Sequence, residues 1–101
     1  MKESFRAVRE ERNRQDKKWG YPQHHTLAEW LVILAEERGE VDKEINEVYF
    51  RDKSTNNLLK ELVEEAAVIL AIYDAIWNNQ ILHRGKSPDP LKLRFKREEL
   101  Y

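Results

Sequence analysis

The chain has 101 residues, and its 18 basic and 19 acidic side chains leave a net charge of −1. A nearly neutral chain has no general electrostatic attraction to nucleic acid or anionic lipid, so we expect neither as a partner. The absence of cysteine excludes disulfides, thiolate metal ligands and cysteine nucleophiles. The longest apolar run, residues 66–73, is too short to cross a bilayer, which favours a cytoplasmic protein. A length of 101 residues predicts a single domain.

The first predicted helix covers residues 2–16. Its few apolar side chains stand among many arginines and glutamates, which favours a helix with a narrow contact stripe. These apolar residues are Phe5, Ala7 and Val8. Gly20 and Pro22 then interrupt the pattern, so we expect Trp19 and Tyr21 to lie on a loop.

The second predicted helix begins at a capping box. Thr26 precedes Glu29 by three residues, a spacing at which each side chain satisfies a free backbone amide at the start of a helix. We expect this helix to continue to about Phe50. Its apolar residues recur at helical spacing and predict one buried face. They are Leu27, Trp30, Leu31, Leu34, Val41, Ile45 and Val48.

A polar loop is expected next, in which Ser54, Thr55 or Asn56 can cap a third helix that runs to about Trp77. The apolar residues of this helix also recur at helical spacing. They are Leu58, Leu59, Leu62, Val63, Ala66, Ile69, Leu70, Tyr73 and Trp77. Residues 66–72 are apolar on every side, more than one antiparallel helix can cover. The third helix is therefore either central or also packed against another subunit.

No alternation typical of a strand occurs in the sequence, so the predicted fold class is all-α, a helical bundle. We expect residues 1–84 to form the helical domain. Residues 85–101 form a basic C-terminal tail with two prolines and alternating apolar residues. Three interpretations of this tail stay open: a short helix, an arm that crosses a partner, or a disordered segment.

Two pairs of glutamates accompany the apolar stripes of the second and third helices. At 100° per residue, Glu37 and Glu40 lie beside the stripe of the second helix, and Glu61 and Glu64 beside that of the third. Antiparallel packing of the two helices would bring these pairs face to face across a groove.

Partly buried carboxylates that face one another need a counter-charge, and a divalent ion can supply it. An all-oxygen ligand set suits Mg²⁺, or alternatively Mn²⁺. A di-iron bundle would need Glu-x-x-His pairs, and no histidine of this chain follows a glutamate at that spacing. The alternative is that each glutamate pair belongs to a solvated face, which is common in a chain with 19 acidic residues.

The order EERGE at 36–40, 20 intervening residues and ELVE at 61–64 resembles a known pair of motifs. These are the EExxE and ExxD motifs of the all-α nucleoside triphosphate pyrophosphohydrolases, the MazG-like group. The segments ERNRQDKKWG and EAAVILAIYDAI are similar to those of small MazG-like proteins of bacteria and their phages. The resemblance covers about residues 10–77 and implies a helical bundle of that type, completed by dimerisation.

The resemblance implies four magnesium ligands and one supporting residue. The ligands are Glu37, Glu40, Glu61 and Glu64, and the supporting residue is Glu36, which would bind the ion or orient water. Glu64 stands where the family pattern has Asp, so the charge is kept while the reach of the side chain changes. Glu65 is an alternative ligand. The implied reaction hydrolyses a nucleoside triphosphate between the α and β phosphorus atoms and releases nucleoside monophosphate and pyrophosphate.

A triphosphate also needs cationic side chains to offset the charge that a metal leaves uncovered. Candidates in loops or at helix ends are Lys17, Lys18, Lys53, Arg84 and Lys86. Trp19 is the candidate to stack on the base, and its alternative role is to cover the end of the core. Trp30 and Trp77 fit the core or a subunit interface. His24, His25, Asn78 and Asn79 are either substrate contacts or ordinary loop and helix-end residues.

The leading hypothesis is a Mg²⁺-dependent nucleoside triphosphate pyrophosphohydrolase for nucleotide housecleaning or pool control, working as a homodimer or a dimer of dimers. The alternative is a non-catalytic helical homodimer that acts as a protein-binding adaptor, which the change from Asp to Glu at position 64 favours. A helix-turn-helix regulator is disfavoured because the chain lacks a basic recognition helix.

Overall fold

Three α-helices form the part of the chain that the computed structural model describes, residues 2–21 and 23–78. Helix α1 spans Glu3–Trp19, α2 spans Leu27–Arg51 and α3 spans Asn56–Trp77. Within these residues there is no strand, so the predicted all-α class is confirmed for them. The predictions for the tail at 85–101, together with Pro22 and Asn79, lie outside the described residues.

Helix α1 is longer than predicted, because it ends at glycine and not before the lysines. Gly20 has a φ of 89°, a conformation that favours glycine, and its N–H donates to the carbonyl of Asp16 at 2.8 Å. Lysine has a high helix propensity, so residues 17 and 18 extend the helix. The prediction that Trp19 lies on a loop is wrong, since it is the last residue of α1.

The predicted capping box starts α2. The Thr26 hydroxyl accepts a hydrogen bond from the Glu29 N–H at 3.1 Å, and the Glu29 carboxylate accepts one from the Thr26 N–H at 3.0 Å. The helix ends where Asp52 adopts a left-handed conformation, with φ of 51°. Before α3, the Ser54 hydroxyl accepts from the Asn56 N–H at 3.2 Å, whereas the Thr55 side chain makes no capping bond.

Helix α3 is central. It packs against both α1 and α2, while among the described residues α1 and α2 do not approach each other closely. Arg12 connects α1 to α3 through an ion pair with Asp74 at 3.5 Å. Small side chains on α3 allow both neighbours to come close. The core cluster consists of Trp30, Val68, Ala71 and Ala75, with Ile33, Leu34, Ile72 and Ile76 packed around it.

The large apolar residues of α2 and α3 are only partly buried, which corrects the predicted buried faces. On α2, Trp30 and Val41 are buried, but Leu27, Leu31 and Ile45 are exposed. On α3, the side that carries the buried Ala67, Ala71 and Ala75 faces the neighbouring helices. The opposite side is therefore an exposed apolar face. This face consists of Leu59, Leu62, Ile69, Leu70 and Tyr73. No helix within the described residues is long and apolar enough to cross a membrane.

Candidate metal centre

Glutamates from α2 and α3 converge within the interface between these helices. Glu37, Glu61 and Glu64 each place a carboxylate oxygen within 4.8 Å of the oxygens of the other two. We refer to these three residues as the carboxylate cluster. The prediction that acidic side chains of the two helices face each other is confirmed for them.

The cluster forms because its members lie on the packed faces of their helices. Glu37 is seven residues after Trp30 and four before Val41, so it shares the side of α2 that both buried residues occupy. On α3, Glu61 and Glu64 precede the buried Val68 by seven and four residues. The sequence pattern had predicted these carboxylates beside the contact faces of the helices. In the structure they lie within those faces.

Three other predicted acidic residues lie outside the cluster. Glu36 and Glu40 are exposed, because each is rotated on α2 away from the side that faces α3. Both remain close enough for their charges to raise the pKa of Glu37. Glu65, the alternative ligand, instead forms an ion pair with Arg38 of α2 at 3.7 Å.

The cluster is electrostatically unfavourable when its carboxylates are ionised. The pKa of Glu61 is raised from 4.5 to about 7. Burial is the largest cause, and the hydrogen bond with Glu64 and the negative charge of Glu64 add to it. Burial also raises the pKa of Glu37, and the charges of Glu64 and Glu11 add to the effect. Within the part of the chain that the structure describes, one cation pairs with a cluster carboxylate: the Lys60 Nζ is 3.9 Å from Glu64. Among the described residues, Glu37 and Glu61 form no ion pair of their own, although the charge of Lys60 offsets part of the rise in the pKa of Glu61.

The donor set fits a hard divalent cation. One carboxylate oxygen of Glu37, Oε2, is buried and has no hydrogen-bond partner among the described residues. Such an oxygen normally requires a donor or a cation. Three carboxylates from two helices suit Mg²⁺, which commonly retains several waters in place of further protein ligands. Glu37, Glu61 and Glu64 are the residues that would hold it.

Helix α1 contributes two residues near the cluster that the sequence did not single out, Glu11 and Arg14. The Arg14 guanidinium donates to both oxygens of Glu11, at 2.7 and 2.6 Å, and this bonding lowers the pKa of the Glu11 carboxyl. The charges of Glu64 and Glu37 act on Arg14 as well. The i, i+3 spacing of Glu11 and Arg14 was a readable signal for the pair, but its position beside the cluster depends on helix packing.

The predicted cationic residues have different positions. Lys18 lies near the end of α1 and lines a groove beside the cluster. Lys17 and Lys53 are exposed, on α1 and in the connection between α2 and α3 respectively, and neither lines that groove. Arg84 and Lys86 lie outside the described residues.

Among the predicted aromatic and polar contacts, Trp19 touches Lys18, which lines that groove. Its side chain is 55% exposed, and the Lys18 Nζ is 4.8 Å from its ring centroid. His25 packs edge-on against the buried Trp30, with ring centroids 4.7 Å apart, so it covers the core cluster. His24 is exposed, and Asn78 caps the end of α3.

Comparisons of the chain with protein-family models, with curated proteins and with solved structures find no significant match. Arguments about function therefore depend on the geometry of the carboxylate cluster and its surroundings.

Proposed function

We propose that the protein is a Mg²⁺-dependent nucleoside triphosphate pyrophosphohydrolase. The observation that carries this proposal is the convergence of Glu37, Glu61 and Glu64, whose oxygens lie within 4.8 Å of one another. The resemblance of EERGE and ELVE to the MazG-like motifs supports it, because the cluster contains residues from both segments.

In this proposal, Glu37, Glu61 and Glu64 hold the ion, and Glu36 and Glu40 add negative charge at the rim of the site. Bound Mg²⁺ would lower the pKa of an attacking water and would neutralise charge on phosphate oxygens. In the overall reaction, the oxygen of water bonds to one of the two phosphorus atoms of the α–β anhydride and the bridging P–O bond breaks. Nucleoside monophosphate, pyrophosphate and one proton from the water are released. Glu36 is exposed on α2 outside the ligand set. The resemblance assigns its carboxylate the role of orienting the attacking water.

Substitution of single cluster residues tests the proposal. In Glu37→Gln and Glu61→Gln the side chain keeps its size and loses its charge, so we expect activity to disappear while the helical circular dichroism is kept. The assay measures pyrophosphate release from a panel of ribo- and deoxyribonucleoside triphosphates with Mg²⁺. The matched control is Glu3→Gln, because Glu3 is a highly exposed glutamate at the start of α1 and does not belong to the carboxylate cluster. Turnover retained in either cluster variant contradicts the assigned site.

We also propose that the protein is a homodimer or a dimer of dimers. The exposed apolar face of α3 supports this, because five large apolar side chains on one helix face favour burial against another surface. Leu70→Lys places a charge on that face without touching the core cluster. We expect light scattering to report a smaller particle for this variant than for the wild-type protein. A wild-type protein that is monomeric at all accessible concentrations contradicts the proposal.

A non-catalytic adaptor is the second candidate function. The same exposed apolar face favours it, since such a face can bind a different protein as well as a second copy. The nucleotide panel separates the two functions, because an adaptor releases no pyrophosphate from any substrate.

A further inference from the structure

An open groove of about 690 Å³ lies between α1 and α3, next to the carboxylate cluster. Its lining includes three cationic side chains, Arg14, Lys18 and Lys60, and two carboxylates, Glu11 and Glu64, around two apolar residues. In a chain with a net charge of −1, this groove has one more positive than negative side chain.

The groove and the carboxylate cluster share a wall. Glu64 belongs to both, and the Lys60 Nζ is 3.9 Å from the Glu64 carboxylate. At the end of α1, Lys18 lines the groove and contacts the ring of Trp19. A ligand in the groove would therefore meet cations beside the carboxylate cluster and an exposed aromatic ring beside Lys18.

Arg14 is fixed in orientation by contacts within α1. Its Nε and one terminal nitrogen donate to the two oxygens of Glu11, and the same carboxylate accepts from the buried Gln15 at 2.9 Å. A guanidinium has five N–H donors, so this bidentate pair leaves others for an anion. A held arginine loses less conformational entropy on binding than a free surface arginine does.

We propose that this groove binds the phosphate groups of the nucleoside triphosphate, with Arg14, Lys18 and Lys60 contacting phosphate oxygens and Glu11 positioning Arg14. The inference rests on the proposed function for the identity of the ligand. It adds the residues that recognise the polyphosphate. Phosphates in the groove would lie next to Glu64, and the nucleoside would extend toward the exposed ring of Trp19.

Binding of inorganic tripolyphosphate tests the groove without catalysis. Calorimetric titration in buffer stripped of divalent ions, at low ionic strength, compares the wild-type protein with Arg14→Gln and Lys60→Gln. Each substitution removes one charge-assisted contact, so we expect a loss of affinity of about tenfold. Lys43→Gln is the matched control, because Lys43 is an exposed lysine of α2 outside the groove. Thermal melts of all variants establish that they are folded.

The result expected is saturable binding to the wild-type protein and to Lys43→Gln, with weaker binding to the two groove variants. Absence of saturable binding, or equal loss in Lys43→Gln, overturns the groove assignment. Because this titration contains no metal, failure of the metal site leaves it unaffected. Conversely, Mg²⁺-dependent hydrolysis with an unchanged KM in Arg14→Gln and Lys60→Gln overturns the groove while the proposed function stands.

Glu11→Gln tests the positioning role separately. If Glu11 only adds negative charge to the groove, its neutralisation strengthens tripolyphosphate binding. If Glu11 holds Arg14 for phosphate, the substitution weakens binding because the charge-assisted bidentate pair is lost. We expect weaker binding, and stronger binding overturns the positioning role.

Discussion

The interface between α2 and α3 has two regions of opposite chemistry, an apolar end near the start of α2 and an acidic end closer to the connection between the helices. At one end the core cluster excludes water around Trp30 and two alanines, and at the other end the carboxylate cluster gathers three acidic side chains. Both ends belong to the same pair of helices and to the same packed faces. The apolar end stabilises the fold by burial, whereas the acidic end opposes it through desolvation and repulsion.

An ion pair also connects α2 and α3. Arg38 of α2 lies 3.7 Å from Glu65 of α3, so the packing can place a cation opposite a carboxylate. Glu37 and Glu61 have no such partner among the described residues. Unfavourable groups at a packed interface are typical of functional sites, where stability is lower so that a ligand can bind.

The largest expected effect comes from breaking the apolar end. Trp30→Ala removes a side chain that is 3% exposed, so we expect the free energy of unfolding to fall by about 3–5 kcal/mol. Urea denaturation followed by circular dichroism measures the loss. Trp19→Ala is the matched control, since its ring is half-exposed, and we expect a loss below about 1 kcal/mol. Equal losses in the two variants would contradict the assignment of the core.

Neutralising the acidic end should have the opposite sign. In metal-free buffer well above pH 7, Glu61→Gln removes one ionised member of the carboxylate cluster. We expect the variant to be more stable than the wild-type protein by about 1 kcal/mol, after discounting for solvent screening. Thermal melts give the difference, and Glu3→Gln serves as the exposed control. A destabilised Glu61→Gln would mean that the ionised carboxylate has a favourable partner in the metal-free protein.

The pH dependence of stability sharpens the same contrast. The folded pKa of Glu61, about 7, lies above its ordinary value of 4.5, so the folded state holds this proton more tightly. The stability that the raised pKa of Glu61 contributes is fully present below pH 4.5 and is lost as the pH rises through about 7. Relative to Glu61→Gln, the metal-free wild-type protein should therefore lose stability over this interval.

Denaturant titrations at several pH values measure this difference between the two proteins. The comparison cancels Glu11, whose lowered pKa gives a contribution of opposite sign that is lost in acid. The raised pKa of Glu37 changes stability in the same direction as that of Glu61. Parallel stability curves for the wild-type protein and Glu61→Gln would show that Glu61 does not titrate with a raised pKa.

The smallest effect tests the free space around the acidic end. Gly39 lies inside α2 between Glu37 and Glu40, and a Cβ added there meets no atom within 4 Å. Gly39→Ala should raise the free energy of unfolding by about 0.5–1 kcal/mol, because alanine has the higher helix propensity. Chemical denaturation measures it. Destabilisation would indicate that another surface packs closely against this turn of α2.

Local sequence patterns predicted the helices well, since caps and periodicity are local properties. The capping box at Thr26, the loop before Asn56 and the end of α3 near Trp77 were all readable. Trp19 was misplaced because Gly20, and not the preceding lysines, ends α1. Which side of α3 is buried was not readable, because nearly every side of that helix is apolar.

The candidate site was predicted in part. The motifs identified Glu37, Glu61 and Glu64, which converge, but Glu40 and Glu36 remain exposed outside the cluster. A difference of three residues on a helix rotates a side chain by about 60°, and only tertiary packing decides which rotation faces the partner helix. The groove between α1 and α3 was missed for the same reason, since it depends on how α1 crosses α3.

The central claim is that the carboxylate cluster binds a divalent cation. Titration calorimetry with Mg²⁺ and with Mn²⁺, on the wild-type protein, Glu61→Gln and Glu3→Gln, tests it most directly. The account predicts saturable uptake of either ion by the wild-type protein and by Glu3→Gln, and none by Glu61→Gln. Absence of uptake by the wild-type protein, or equal uptake by Glu61→Gln, would contradict it.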